Sequence, residues 1–267
     1  MKFLITLSLL LAVASAAPKW LAVPVKDAPV GKPRIISGYP ADVGELPFQI
    51  LNEHTTSLGN FICGGALISP HWVLTAAHCA AGAFSHTITL GTISSLGDDP
   101  NAVVVHTTRN IVHENYVASF LWNDIALVDL INDVQLTDLI QTVPLDASFI
   151  EPGRNVWVSG WGKTSDTSGV SPVLNIVDLN AISNNECAGV YGASILDSSL
   201  CSIGHPEHSS CSGDSGGPLF VYNQQEKQNH VGVVSFVHRA GCASGNPSGY
   251  ARTSYYIPWI ESHTGPL

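Results

Sequence analysis

Ala66-Leu67-Ile68-Ser69-Pro70-His71-Trp72-Val73-Leu74-Thr75-Ala76-Ala77-His78-Cys79 is the stretch on which the fold class turns. Two short apolar runs flank a Ser-Pro break, and neither is long enough to be a helix with one buried face. The second run stops at Thr-Ala-Ala-His-Cys, which sets a histidine and a cysteine just past a strand. The same pattern repeats outward. Thr87-Ile88-Thr89-Leu90, Ala102-Val103-Val104-Val105, Ile125 to Leu130, Val156-Trp157-Val158, Val173 to Leu179 and Val231 to Phe236 are all short and rich in branched side chains. Gly, Pro, Asn and Ser punctuate them. Many short strands between turn signals predict an all-β sandwich or barrel. A parallel α/β sheet needs crossover helices of about 10–15 residues, and no such period is seen. Only Tyr255 to His263, with Tyr256, Ile257, Trp259 and Ile260, predicts one short C-terminal helix, whose first turn would hold Pro258. No internal repeat of fixed period is present.

Composition narrows the function classes. Of 267 residues, 45 % are hydrophobic and only 12 % charged, the reverse of a disordered chain. The 21 acidic residues exceed the 11 basic ones, for a net charge of -10, with no basic cluster. That balance excludes a nucleic-acid binder, which needs cations along phosphates. The charge is also uneven. Residues 17–34 carry Lys19, Lys26, Lys32 and Arg34 against Asp27, a net of +3, whereas residues 35–267 carry a net of -14.

The N-terminus reads as targeting and processing sequence. Met1-Lys2 is followed by the apolar run Phe3 to Val13 and by Ala14-Ser15-Ala16. This predicts a secretory signal peptide over residues 1–16, cut after Ala16 or Ala17. The apolar run is well short of the roughly 18 residues a membrane anchor needs, so no membrane association is expected. Residues 17–34 are basic and hold Pro18, Pro24, Pro29 and Pro33, as a propeptide would, leaving residues 35–267 as the working domain. Export implies an oxidising compartment in which Cys63, Cys79, Cys187, Cys201, Cys211 and Cys242 can pair, although their spacing leaves the connectivity open. No Cys-x-x-Cys and no acceptor for N-glycosylation occur. Asp98-Asp99 reads as a solvated turn, and neither a metal nor a cofactor is expected.

Three stretches carry chemistry. Beside Thr75-Ala76-Ala77-His78-Cys79 stand Asn123-Asp124-Ile125-Ala126-Leu127 and the glycine-rich turn Ser210-Cys211-Ser212-Gly213-Asp214-Ser215-Gly216-Gly217-Pro218. A serine hydroxyl is a weak nucleophile until an imidazole takes its proton. The imidazole works best when a carboxylate fixes its tautomer, and backbone N–H groups must face the developing oxyanion. Glycines around Ser215 permit that tight turn. Gly213-x-Ser215-x-Gly217 also fits the nucleophile elbow of α/β-hydrolases, with Glu226 and His230, His238 or His263 as later partners. The missing helices and the preceding Cys211 disfavour that alternative. His54, His71, His106 and His113 belong to no motif and are read as structural.

In this chain order the three stretches resemble the His, Asp and Ser motifs of the chymotrypsin-like serine proteases, and the Gly245-x-Pro247 region resembles arthropod digestive members. The likeness runs from Ile35-Ile36-Ser37-Gly38 through Cys63-Gly64-Gly65, Ser159-Gly160-Trp161-Gly162 and Val234-Ser235-Phe236 to the C-terminal helix. It implies two six-stranded antiparallel β-barrels with a cleft between them. It implies His78 as general base and acid, Asp124 as its orienter, Ser215 as nucleophile, and the Gly213 and Ser215 N–H groups as oxyanion hole. It also implies disulfides Cys63–Cys79, Cys187–Cys201 and Cys211–Cys242, and cleavage at Arg34-Ile35 by a trypsin-like protease, after which the Ile35 amine pairs with Asp214. With no cysteine to tether it, the propeptide would then leave. Ser235, Phe236 and Val237 would pair with substrate backbone. The uncharged Ser209 at the pocket base, with Val237 and Ser248 on its walls, implies cleavage after small to medium apolar residues; the alternative is cleavage after Phe, Tyr or Leu. The expected partners are protein or peptide substrates, the activating protease and protein inhibitors, for a secreted monomer working in an extracellular space such as a gut lumen. A catalytically silent binding protein on this fold would be expected to have lost a triad residue.

Overall fold

The structure is a computed structural model that describes residues 23–24, 38–204 and 208–267. The signal peptide and propeptide expected over residues 1–34 therefore lie outside the described residues, except for a two-residue strand β1, Val23–Pro24.

Two antiparallel β-halves follow one another in the chain. In the first are β3 (Gln49–Thr56), β4 (Gly59–Leu67), β5 (Trp72–Thr75), the one-turn helix α1 (Ala77–Ala80), β6 (Ser85–Leu90), β7 (Val103–Thr107), β8 (Asn110–Val112) and β9 (Ala126–Asp129). They pair in the order β7-β6-β3-β4-β5-β9-β8, with β1 added on β4. The edge strands β7 and β8 are neighbours in the chain, joined only through Thr108 and Arg109, so the sheet must curl until its two edges come close. No ladder joins those edges. β8 is three residues long and pairs with β9 alone, so this half is a curled sheet where a closed barrel was expected.

The second half does close. β2 (Tyr39–Pro40) adds to β11 (Asn175–Ile182). β10 (Asn155–Gly160), β13 (Pro218–Tyr222), β14 (Gln228–Phe236), β15 (Ser248–Arg252), β12 (Ser199–Ile203) and β11 pair in that order, and β10 pairs with β11 to complete six strands. Inside lie Val156, Val158, Val177, Leu179, Leu219, Val231 and Tyr250, the inward set that alternation along each strand produces. A second cluster, including Ile50, Leu67, Val73, Ile88 and Val128, fills the first half. A third joins the halves through Phe48, Leu74, Ile125, Trp161, Phe220 and Tyr256. Both halves thus share an apolar seam.

Two helical features differ from the sequence reading. The C-terminal helix α3 spans Thr253–Thr264, so Pro258 falls beyond the first turn. The earlier start is fixed by Thr253, which is buried and bonded through its hydroxyl to His230 Nδ1 at 2.8 Å. Helix α2 (Asn184–Tyr191) was not expected at all. Its start is a capping box, in which the Ser183 hydroxyl accepts from the Glu186 N–H and the Glu186 carboxylate accepts from the Ser183 N–H.

Candidate active site

His78 sits in α1, and its position is fixed from two sides. Cys79, the next residue, forms a disulfide with Cys63 in β4. The His78 N–H donates to Asp124 Oδ1 at 2.9 Å, and Nδ1 lies 2.7 Å from Asp124 Oδ2. An ionised carboxylate only accepts, so this contact puts the imidazole proton on Nδ1 and leaves Nε2 basic. Nε2 is buried and has no hydrogen-bond partner among the described residues. Asp124 is also fully buried and accepts the Ser235 hydroxyl at 2.6 Å. Three donors satisfy its two oxygens, which removes the usual penalty on a buried carboxylate.

The turn that presents Asp124 is irregular. Leu121 and Asn123 both take positive φ, at 54° each. Asn123 holds the bend with side-chain bonds to Asn115 O at 2.7 Å and from the Tyr256 hydroxyl at 3.0 Å. Asparagine tolerates this left-handed conformation because its amide can bond locally; Leu121 has no such relief and stores strain next to the site.

Ser215 lies between Gly213 and Gly217, on a turn stitched to both halves. Its carbonyl accepts the Gly64 N–H at 2.7 Å, and the following Gly216 N–H donates to Val234 O at 2.8 Å. Gly213 has φ +103°, and a Cβ there would lie 3.0 Å from Gly162 Cα. Gly216 has φ +76°, and a Cβ there would meet Thr75 Oγ1 at 2.2 Å. Side chains are thus barred on both sides, and the contact of Gly216 with Thr75 brings the serine turn against the strand leading to His78. The turn is followed by strand β13, not a helix, which rules out the hydrolase elbow. His230, one partner that reading needed, is sealed inside with its Nδ1 on Thr253.

Asp214 points away from Ser215, into the interior. It is completely buried and accepts N–H groups from Cys211 and Gly162, each at 2.8 Å. Burial pushes its carboxyl up to about 6, with those two N–H groups pulling the other way. Among the described residues no cation pairs with it, and Arg34 and Ile35 lie outside them.

Ser209 and Ser248 meet each other, and Val237 borders the same small cavity as Ser215. The Ser209 hydroxyl donates to Ser210 O at 2.7 Å and lies 3.1 Å from the Ser248 hydroxyl, both groups being buried. Val237 packs on the disulfide between Cys211 and Cys242. The Phe236 ring covers Gly249 so closely that a Cβ there would come within 2.0 Å of it. A small open cavity is bordered by Ser215, Ser235, Phe236 and Val237. The remaining disulfide joins Cys187 of α2 to Cys201 of β12. Two residues that the sequence reading left out also shape this region. Tyr191, from the end of α2, meets Phe236 edge-on at 5.0 Å and bonds through its hydroxyl to Pro247 O. Asp166 accepts the Cys242 N–H at 2.6 Å, tying down the far wall.

Three imidazoles, His54 and His86 in the first half and His230 in β14 of the second, are buried and in no ion pair among the described residues. His86 bonds to Asn52 Oδ1 and Asn110 Nδ2, while His54 stacks on Phe61 with its Nδ1 unbonded. Burial pushes His54 and His86 down to about 4 and His230 to about 3, and the nearby His86 and His78 add to the effect on His54. These groups fold neutral, so their stabilisation is complete above the unfolded value near 6.5 and is lost as pH falls toward 4. Each imidazole lowered to about 4 accounts for roughly 3 kcal/mol. In a Ser215→Ala background, which removes autolysis, the thermal midpoint is expected to drop steeply between pH 6.5 and 4. His86→Gln should flatten that drop. A midpoint constant across the range would contradict the assignment.

The family model described as Trypsin matches residues 35–260. Brachyurin of Leptuca pugilator is 40 % identical over 206 residues, covering 77 % of this chain and 88 % of that protein. Collagenase of Hypoderma lineatum is 36 % identical over 272 residues, 99 % of each. A solved structure of HL collagenase superposes with a TM-score of 0.79 at 35 % identity, covering 87 % of this chain and 100 % of that one.

Proposed function

Since the chain belongs to the trypsin family of serine endopeptidases, we propose that it cleaves peptide bonds through Ser215, with His78 as base and then acid, Asp124 holding the imidazole, and the Gly213 and Ser215 N–H groups binding the oxyanion. The reading is supported chiefly by the His78–Asp124 pair, in which a buried, triply bonded carboxylate leaves Nε2 bare. In the reaction the Ser215 hydroxyl attacks the scissile carbonyl while Nε2 takes its proton. The proton then passes to the leaving amine, and water repeats the sequence on the acyl-enzyme.

The same proposal covers processing and setting. Residues 1–16 direct export, residues 17–34 keep the chain inactive, and cleavage after Arg34 by a trypsin-like protease frees the Ile35 amine for Asp214. Lys32 is a poor alternative site because Pro33 follows it. Three disulfides suit an extracellular protein. Only six Lys or Arg residues remain in residues 35–267, which limits attack by a co-secreted trypsin and favours a digestive role.

Specificity is proposed to be elastase-like, for Ala, Val or Leu before the scissile bond. Its support is the buried pair of uncharged hydroxyls, Ser209 and Ser248, together with the branched Val237 packed on the Cys211–Cys242 disulfide beside Ser215. A Lys or Arg side chain would be desolvated there with no counter-charge, at a cost of several kcal/mol. A flat ring would strike Val237. Pockets of this kind distinguish a methylene by about 1–3 kcal/mol, so selectivity is broad among apolar residues. Kinetics on Ala-, Leu-, Phe- and Arg-ending peptide substrates test this. The expected result is preference for Ala and Leu, no measurable Arg cleavage, and a gain for Phe of tenfold or so in Val237→Gly. Efficient Arg cleavage, or a wild-type Phe preference that Val237→Gly leaves alone, would overturn it.

A further inference from the structure

The loop after β10 carries an aspartate that belongs to none of the catalytic stretches. Lys163 pairs with Val170 at the base of this loop. Its tip is held by the Ser168 hydroxyl, which accepts the N–H groups of Thr164 at 2.9 Å and Ser165 at 3.1 Å. Asp166 stands at the tip and is exposed, yet its Oδ1 accepts the Cys242 N–H, 76 residues further along the chain, at 2.6 Å. The adjoining Gly241 has φ +115°, and a Cβ there would lie 2.5 Å from Asp166 Oδ2, so the carboxylate rests on bare backbone. An exposed aspartate that accepts a loop N–H is ordinarily no more than a local tie. Two observations give this one a longer reach. At the base of the same loop the Gly162 N–H donates to Asp214 Oδ1 at 2.8 Å and the Lys163 N–H donates to Ser212 O at 2.9 Å, so the loop is built onto the serine turn. At the other end Cys242 is bonded to Cys211, and Val237 packs on that disulfide.

We infer that Asp166 is a positioning residue for substrate selection: it fixes the segment from Val237 to Ser248 against the serine turn and so sets which side chain is accepted before the scissile bond. This rests on the proposed reading of Ser215 as nucleophile and of Val237 and Ser248 as pocket residues. A disulfide fixes a distance but leaves the segment free to turn about its rotatable bonds, and a second attachment at the same residue stops that rotation. The bond to Asp166 is that attachment, because it grips the main chain of Cys242 while the side chain is tied to Cys211. Between Val237 and Cys242 the chain makes a tight turn in which the Gly241 N–H donates to His238 O at 3.0 Å, so a shift at Cys242 carries Val237 with it. Ser248 opens β15 beyond the same turn, and its hydroxyl lies 3.1 Å from that of Ser209. A carboxylate suits the task, since a charge-assisted bond to a backbone N–H is stronger than a neutral one. Without Asp166 the bonds from Gly162 and Lys163 to the serine turn would remain, so the reacting groups would keep their places while the wall loosened.

The test compares the matured parent, Asp166→Ala and Asp166→Asn on Leu- and Phe-ending peptide substrates, with enzyme concentrations set by titration of the reactive serine so that misfolded protein is not counted. In Asp166→Ala, KM for the Leu peptide is expected to rise about fivefold while kcat stays within about twofold of the parent, as for the loss of one partly exposed bond that acts through binding. The ratio of kcat/KM for Leu over Phe should move toward one by a similar factor. Asp166→Asn keeps an oxygen acceptor and should fall between the parent and Asp166→Ala in both quantities. In Val237→Gly, where the wall side chain is already gone, adding Asp166→Ala should change the ratio by less than about twofold. A merely structural tie would lower the thermal midpoint and the number of titratable sites but leave KM and the ratio alone. That result, or an equal effect of Asp166→Ala with and without Val237, would overturn the inference while leaving the protease intact. A Phe preference in the parent would count against the elastase-like reading alone, since the change in the ratio is what reports on Asp166. A matured parent that cleaves neither peptide would overturn the nucleophile reading and this inference with it.

Discussion

Ser215→Ala is expected to lower kcat by four orders of magnitude or more while the protein still folds and still binds peptide. The substitution removes only the hydroxyl. The backbone bond from the Gly64 N–H to the Ser215 carbonyl and the bond from the Gly216 N–H to Val234 remain, so the turn keeps its shape. Thermal stability should therefore stay within about 0.5 kcal/mol of the parent. What is lost is the atom that forms the acyl-enzyme. The size of the effect is the one established for serine proteases of this type, not a figure derived from this chain. His78→Ala should be about as damaging, and the double variant hardly worse, because nucleophile and base act as one unit. Initial rates and midpoints measured on the same preparations check this. A Ser215→Ala protein with more than a few per cent of parental turnover would contradict the assignment.

Arg34→Gln is expected to give a chain that trypsin cannot mature and that stays below about one per cent of normal activity. The reason lies with Asp214. A buried carboxylate raised to about 6 from its ordinary 3.8 is uncomfortable as an anion, by roughly 3 kcal/mol at neutral pH. Because its folded value is raised, that cost is absent below about 3.8 and is complete once the pH exceeds about 6. A new ammonium at Ile35, placed against it, would turn the cost into a bonded pair and lock the neighbouring Gly213 and Ser215 N–H groups in position. The amine's own value would rise above its free range of about 7.7–8.0. Its share of stabilisation is then present below that range and fades as pH climbs through the folded value. Matured enzyme should accordingly lose activity in alkaline solution, with N-terminal sequencing giving Ile35-Ile36 as the first residues. Normal maturation of Arg34→Gln by trypsin would show the site to be elsewhere.

The motifs were legible because each is a local device. Thr75 to Cys79, Asn123 to Leu127 and Ser210 to Pro218 carry their geometry in glycines, a disulfide and a strand end. The strands they join were visible as branched runs such as Thr87 to Leu90 and Val231 to Phe236. The closure of the halves was not legible in the same way. Whether the edges β7 and β8 pair depends on how far the whole sheet between them curls, and β8 is only three residues long. Helix α2 escaped because it has hardly any apolar face, with Cys187 as its one buried residue. Its Ser183-x-x-Glu186 capping box was nevertheless readable, and would have revealed the wall that carries Tyr191. Pro258 was read as a first-turn residue because nothing local shows that Thr253 is anchored to His230. The buried His54 and His86 lacked any motif, and only the register of β3 against β6 puts their side chains on the same inward face.

Labelling decides the central claim, that Ser215 is the nucleophile of an activatable endopeptidase. Trypsin-treated protein is incubated with a serine-directed organophosphate and the adduct is mapped by peptide mass spectrometry. The expected result is one adduct, on Ser215, formed at least a hundredfold faster after cleavage at Arg34 than before it, and lost in His78→Ala. Matured protein that reacts no faster than a free serine, or that carries the adduct on another residue, would contradict the account.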